Sequence, residues 1–231
     1  MILTLPVSEI RRATPQSRIV RLALEGVFEY EPGQSALIGV HGQPDRRHYS
    51  LATPPEIAVR EGALEFLVRT DRDGSVGPHL DGIHRGSRVD VEGPAGRFML
   101  PASSIDPSRL FIAGGTGIAP IRAMLLRALA MPGKSLSLAY SARTSREFAY
   151  LKELEALRCD GLRLLFTATR EASASWKYDR GRLNQTRLSR LVDSTDTLCF
   201  VCGPPALVED VPRALMKLGI EEGRIRTEIY G

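Results

Sequence analysis

The sequence predicts two domains in series: an antiparallel β-barrel over residues 1–100, a linker at 101–108, and a doubly wound parallel α/β sheet over 109–231. Three observations carry this. Up to about residue 99, short apolar–polar alternations are cut by Gly and Pro, the period of half-buried antiparallel strands. After the linker, apolar runs alternate with stretches of helical period, as in a sheet built from crossover units. Between them, residues 111–120 read Phe-Ile-Ala-Gly-Gly-Thr-Gly-Ile-Ala-Pro, a strand that enters a helix through a glycine turn.

In the first half the alternation places strands at 18–24, 34–40, 48–52, 64–69 and 88–92. A short helix is expected over 76–81, after the turn residues Asp73, Gly74 and Ser75. The linker carries two prolines and three serines. In the second half, strands are expected at 110–113, 136–140, 162–166 and 198–202, with helices at 119–131, 146–158, 182–192 and 205–218. Glu147, three residues after Thr144, reads as a capping box opening the second of these helices.

The glycine turn is suited to a dinucleotide. Gly114, Gly115 and Gly117, with Thr116 between them, let backbone N–H groups approach a pyrophosphate at the positive end of the following helix. Pro120 falls in the first helical turn, where a missing N–H is harmless. The spacing is not Gly-x-Gly-x-x-Gly, so the turn belongs to another lineage of nucleotide fold than the ordinary dehydrogenases.

Composition narrows the rest. At 231 residues, with 43% hydrophobic and 25% charged residues, the chain is ordinary for a soluble globular protein. No apolar run is long enough to span a bilayer, and the start has no signal-like pattern, so the cytoplasm is expected. A net charge of +4 without a basic tail or stripe argues against nucleic acid. Three cysteines, an odd and sparse set, suit a reducing compartment. Cys199 and Cys202 form a Cys-x-x-Cys by coincidence, and Cys159 reads as filler. The four histidines are scattered and are expected in structural or surface roles, with no metal site; Trp176 reads as a packing residue.

Several segments in order resemble the ferredoxin–NADP⁺ reductase family: Arg47-His48-Tyr49-Ser50, the turn Gly74-Ser75-Val76-Gly77, Gly93-Pro94-Ala95-Gly96-Arg97-Phe98, the glycine turn itself, Cys202-Gly203-Pro204-Pro205, and Glu228-Ile229-Tyr230. The resemblance implies a flavin-binding barrel followed by a coenzyme-binding sheet. It implies that Arg47 meets the flavin pyrophosphate, that Tyr49 lies on the isoalloxazine, and that Ser50 hydrogen-bonds near N5. Strand alternation would put Arg47 and Tyr49 on one face and Ser50 on the other. Gly74, Ser75, Val76 and Gly77 would hold the phosphates, with Gly77 standing where the family has serine. Cys202 and Glu228 would flank the nicotinamide with Gly203 and Pro204, and the flavin shield at the chain end would be Tyr230 or nothing. FAD is implied, with FMN as the alternative.

The coenzyme preference follows from charge. The second strand of the parallel sheet is expected to end without an acid to grip a ribose diol, while Ser141, Arg143 and Arg170 would suit a 2′-phosphate, so NADPH is expected over NADH. The implied activity is hydride transfer from NADPH to flavin, then single electrons to a separate, acidic acceptor: a ferredoxin, a flavodoxin or an oxygenase iron–sulfur component. The alternatives are reduction of free flavin, quinone or ferric chelates, and a relay or sensor subunit without turnover.

Overall fold

Why the first hundred residues close on themselves is visible in their pairing. The computed structural model describes residues 2–71, 77–100, 108–131, 135–157 and 161–230. The strands β1 (Ile2–Thr14), β2 (Ser17–Ala23), β3 (Ser35–Val40), β4 (Arg47–Ser50), β5 (Ala63–Arg69) and β6 (Arg88–Ala95) form one antiparallel sheet in the order β4-β3-β6-β1-β2-β5. The two edges meet through a bridge between Leu51 and Phe66 and a hydrogen bond from Ala52 N to Glu65 O (2.9 Å), which makes the sheet a barrel. Its interior is filled by Val20, Leu22, Ile38, Leu51, Leu64, Phe66, Val89 and Val91.

The second sheet is parallel throughout. It orders β10 (Asp179–Arg180), β9 (Leu162–Ala168), β8 (Ser135–Ala142), β7 (Ser108–Gly114), β11 (Leu198–Gly203) and β12 (Ile225–Ile229). Helices α2 (Ile118–Leu129), α3 (Leu151–Ala156), α4 (Gln185–Leu188) and α5 (Pro205–Lys217) cover it, and every residue of β7 is buried, as a strand covered on both faces must be. The order reverses between β7 and β11. There the backbones approach so closely that a Cβ on Gly203 would lie 3.0 Å from Gly114 Cα. Open α/β sheets bind ligands at such a switch point.

Several elements depart from the sequence expectations. β1 was not foreseen, because two bulges and a proline break its alternation. The helix α1 (Pro55–Glu61) was also missed, although Pro55 at its first position and Gly62 at φ 60° after its end mark it. The helix expected at 146–158 is a single 3₁₀ turn, Ser145–Glu147, followed by α3; Tyr150 between them sits at φ 61°, and Phe148, Ala149 and Tyr150 are buried in the core. Thr144 and Glu147 do pair (3.3 Å), but they open that turn and not a helix. The helix expected at 182–192 shrinks to α4, started by Asn184 accepting from Arg187 N at 3.0 Å. The helix expected over 76–81 is a 3₁₀ turn at Pro78–Leu80. Ser108, placed in the linker, begins β7; the rest of the linker and Cys159 lie outside the described residues. Trp176 packs as expected, stacked on Phe148 at 5.0 Å.

Candidate functional site

The glycine turn sits at the carboxyl end of β7 and is shaped by what surrounds it. Gly115 adopts φ +55°, and Gly115–Gly117 makes one 3₁₀ turn into α2. A Cβ on Gly114 would lie 2.8 Å from Pro204 Cδ, and one on Gly117 would lie 2.4 Å from Cys202 O. Only glycine lets the turn, the end of β11 and the start of α5 pack this tightly. Tyr140, fully buried on β8, donates its hydroxyl to Gly115 O (3.1 Å) and accepts from Ala149 N (3.2 Å). This prop was not expected from sequence, where Tyr140 reads only as the apolar end of a strand.

Beside the turn lies a cavity of about 650 Å³. Of the residues foreseen for coenzyme, Gly114, Gly115, Thr116, Ser141, Arg143, Arg170 and Pro204 line it. Gly117 and Pro120 are buried beneath it, and Gly203 is buried against Gly114. Arg143 and Arg170 are exposed neighbours, with Arg170 N donating to Arg143 O at 2.7 Å. Next to them the Glu171 carboxylate accepts from Ser145 N (2.5 Å) and Ser173 N (2.7 Å), and hydrogen bonding from the Ser145 side chain, and then from these backbone N–H groups, holds its pKa down at about 2. The barrel supplies the opposite wall through Thr14, Gln16, Ser17 and Arg69. None of these four was anticipated, since each sits at the end of a β1, β2 or β5 hairpin with no motif to mark it.

On the barrel side, Tyr49 is buried with its hydroxyl 2.8 Å from His79 Nε2, and the rings stack at 5.5 Å and 18°. Burial, and then the charge of Arg47, lowers the pKa of His79, so the ring is neutral near pH 7. Its Nδ1 is buried without a hydrogen-bond partner among the described residues. Placing His79 among scattered structural histidines therefore missed its contact with Tyr49. Gly77 lies at φ +79°, and a Cβ there would be 3.5 Å from His79 and 3.8 Å from Arg47 Nη1. A serine would be strained in that conformation, a physical reason for glycine at this position. Gly74, Ser75 and Val76 lie outside the described residues. Arg47 is exposed while Tyr49 and Ser50 are both buried, so burial does not follow the expected alternation. Ser50 is met there by the Tyr230 hydroxyl.

Tyr230 joins the two halves. Ser50 N donates to its hydroxyl at 2.9 Å, the hydroxyl donates to Ser50 Oγ at 3.3 Å, and Tyr230 N donates to Gly203 O at 2.8 Å. Burial pushes the phenol up to about 12. Behind it, Cys202 on β11 and Glu228 on β12 are register partners, with Sγ 3.8 Å from Oε2. Burial, and then the neighbouring carboxylate, raises the Cys202 thiol, and burial raises Glu228 to about 7. Ser50, Cys202, Glu228 and Tyr230, foreseen as the reacting cluster, are thus connected by contact across the two sheets.

These surroundings fit a flavin and a dinucleotide. The turn leaves open backbone where a Cβ would intrude, and the barrel offers an aromatic ring, an exposed guanidinium and buried polar atoms on His79 and Thr53 that have no partner among the described residues.

Comparison with known proteins agrees. Residues 4–100 match the oxidoreductase FAD-binding domain family and residues 111–213 the oxidoreductase NAD-binding domain family. A Danio rerio protein, oxidoreductase NAD-binding domain-containing protein 1, is 30% identical over 91% of this chain and 86% of its own length. A flavohemoprotein of Rhodopirellula baltica is 27% identical over 87% of this chain, which spans 53% of that relative. The crystal structure of the Amycolatopsis cytochrome P450 reductase GcoB is 29% identical with a TM-score of 0.85, covering 99% of this chain and 69% of that one. The motifs, the paired sheets and these matches converge: the chain belongs to the ferredoxin–NADP⁺ reductase family of FAD- and NAD(P)-binding oxidoreductases.

Proposed function

We propose that the chain is an NAD(P)H-dependent flavoprotein reductase whose electrons leave to a separate acceptor. The observation that carries this is the Tyr230 hydroxyl seated on Ser50: one side chain links the end of the barrel strand β4 to the ends of β11 and β12, where coenzyme and flavin chemistry must meet. Arg47, Tyr49, Gly77 and the 74–76 segment would hold the flavin, and the turn 114–117, with Cys202, Gly203 and Pro204, the coenzyme. When bound, FAD supplies the conversion of a two-electron donor into single electrons. Ser50 would offer a hydroxyl and an N–H to the flavin's polar edge, a position that Tyr230 holds in this structure. Cys202 and Glu228 would form the floor on which the nicotinamide is oriented, Glu228 carrying a proton at Oε1 or Oε2 below pH 7.

The acceptor is an acidic carrier or an oxygenase component. The similarity to a cytochrome P450 reductase supports that class, and the net charge of +4 favours an acidic partner. Among the described residues no helix is long and apolar enough to cross a membrane. The anaerobic visible spectrum of the purified protein tests the reading. Flavin bands that bleach on adding NADPH are expected; a protein that stays colourless after adding FAD or FMN would sink it.

NADPH is proposed over NADH, because Arg143 and Arg170 stand together on the cavity wall beside Ser141. Arg143→Ala should raise KM for NADPH by about tenfold or more, the loss of one charge-assisted contact, and leave KM for NADH nearly unchanged. Equal effects on both coenzymes, measured by steady-state kinetics, would contradict the assignment.

A further inference from the structure

The barrel's seam is held by a residue of the other domain. Arg122, one helical turn beyond the start of α2, is 8% exposed and reaches into the place where β4 and β5 close the barrel. Its Nη1 donates to Ala52 O at 2.6 Å and to Glu65 Oε1 at 3.2 Å. Its Nε donates to Glu153 Oε1 at 2.8 Å. Its guanidinium lies 4.4 Å over the ring of Tyr150, whose hydroxyl donates to the same Glu65 Oε1 at 3.0 Å. Ala52 and Glu65 are the residues whose backbones pair to close the barrel, and Ala52 stands two residues after Ser50. Gly117, which ends the coenzyme turn, stands five residues before Arg122. One guanidinium thus spans the gap between the two half-sites by a short route on each side: two residues of strand and about one turn of helix.

We infer that Arg122 is a positioning residue that sets the separation between the Ser50 edge of the flavin site and the glycine turn of the coenzyme site. The inference rests on the reductase reading above. A buried ion network seldom stabilises more than well-packed apolar groups of the same volume, but it admits fewer arrangements, because each donor must find its acceptor. Here the acceptors belong to both domains: Ala52 O and Glu65 lie on the barrel, Glu153 on α3. The outer tie between the same helix and α1, Arg127 to Glu56 at 2.8 and 2.6 Å, joins a half-buried guanidinium to an exposed carboxylate and is more open to solvent than the Arg122 network. Hydride transfer is steep in donor–acceptor distance, so loosening the inner tie acts on the chemical step before it acts on either binding step.

The test is Arg122→Met in the flavin-loaded protein, with Arg122→Lys as a second variant that keeps the charge but loses the fork. Three quantities are measured: flavin content and coenzyme Kd by titration, the limiting rate of anaerobic flavin reduction by stopped flow, and amide hydrogen exchange over residues 51–53 in the flavin-free protein. Both affinities should stay within about threefold while the limiting rate falls about tenfold or more, with Arg122→Lys in between. Exchange at Ala52 N, which closes the seam, should quicken by a similar factor. A limiting rate within about twofold of the parent, with flavin bound, would overturn the inference, and so would loss of flavin without a change in rate for the fraction that retains it. If Arg122→Met does not fold, Arg122→Lys decides by the same criteria. A parent protein that binds flavin and is not reduced by either coenzyme would overturn the functional reading instead; unchanged exchange over 51–53 would then still sink the positioning role.

Discussion

Gly117→Ala should leave flavin in place and slow its reduction about a hundredfold, the penalty expected for about an ångström of displacement at the reacting centres. Gly117 has φ −60° and ψ −7°, a conformation open to alanine, so backbone preference predicts no cost. The cost is contact. The added Cβ would stand 2.4 Å from Cys202 O, 2.6 Å from Cys202 C and 2.9 Å from Gly203 N, all backbone atoms that no rotamer change can move. Either α2 retreats from β11 or the end of β11 shifts with Cys202 and Gly203. Both displace the coenzyme turn relative to Glu228 and Tyr230, which are tied to β11 by register and by the Tyr230 N to Gly203 O bond. Overpacking of this kind costs about 1–3 kcal/mol, which thermal unfolding would read. Gly115→Ala is the contrast: among the described residues beyond its chain neighbours no atom lies within 4 Å of its Cβ, and only its φ of +55° is strained. It should lose about 1 kcal/mol of stability and weaken coenzyme binding, since Gly115 lines the cavity, while the limiting reduction rate at saturating coenzyme falls less than in Gly117→Ala. Similar rates for the two variants would show that the close packing at Gly117 does not control the chemistry.

The sequence was informative where a physical requirement is local. Glycines at 114, 115 and 117 answer to one turn, and the strand–helix alternation after it answers to period, so four strands of the parallel sheet and the turn at the end of β7 were legible, while β10, β12 and the reversal of strand order were not. The alternation that makes the barrel was legible too. What was not legible is set by contacts distant in the chain. Tyr230 meets Ser50 across 180 residues, and Glu65 meets Arg122 across 57. No spacing rule encodes either. Tyr150 shows the same limit at the level of secondary structure: its stretch has a helical period, but its ring and hydroxyl are claimed by Arg122 and Glu65, and the backbone turns left-handed at φ 61° to deliver them. His79 read as one of four scattered histidines because its partner, Tyr49, lies thirty residues away on another strand. In each case tertiary contact decided, and local pattern was silent.

Glu228→Gln should remove a pH dependence of the limiting rate of flavin reduction. The Glu228 carboxyl is raised from an ordinary 4.5 to about 7, chiefly by burial, with Cys202 Sγ 3.8 Å away offering only partial relief. Near neutral pH it is therefore about half protonated. If the protonated form orients the nicotinamide, the limiting rate of flavin reduction should be level below pH 7 and fall as pH rises through it. Glutamine keeps a neutral donor of the same shape. In Glu228→Gln the inflection near pH 7 should vanish, and the remaining rate should be lower by about a hundredfold if proton donation is required, or close to the parent's low-pH value if a neutral hydrogen-bond donor suffices. Stability reports on the same group independently of turnover. Because the folded state holds this proton more tightly than the unfolded chain, the contribution is fully present below pH 4.5, is lost as pH rises towards 7, and is constant above that. Denaturant titration of the flavin-free protein across that window should show the decline in the parent and its absence in Glu228→Gln. A parent rate and stability both flat between pH 5 and 8 would mean that Glu228 is ionised throughout, and that its place beside Cys202 serves packing of β12 against β11 and not the reaction.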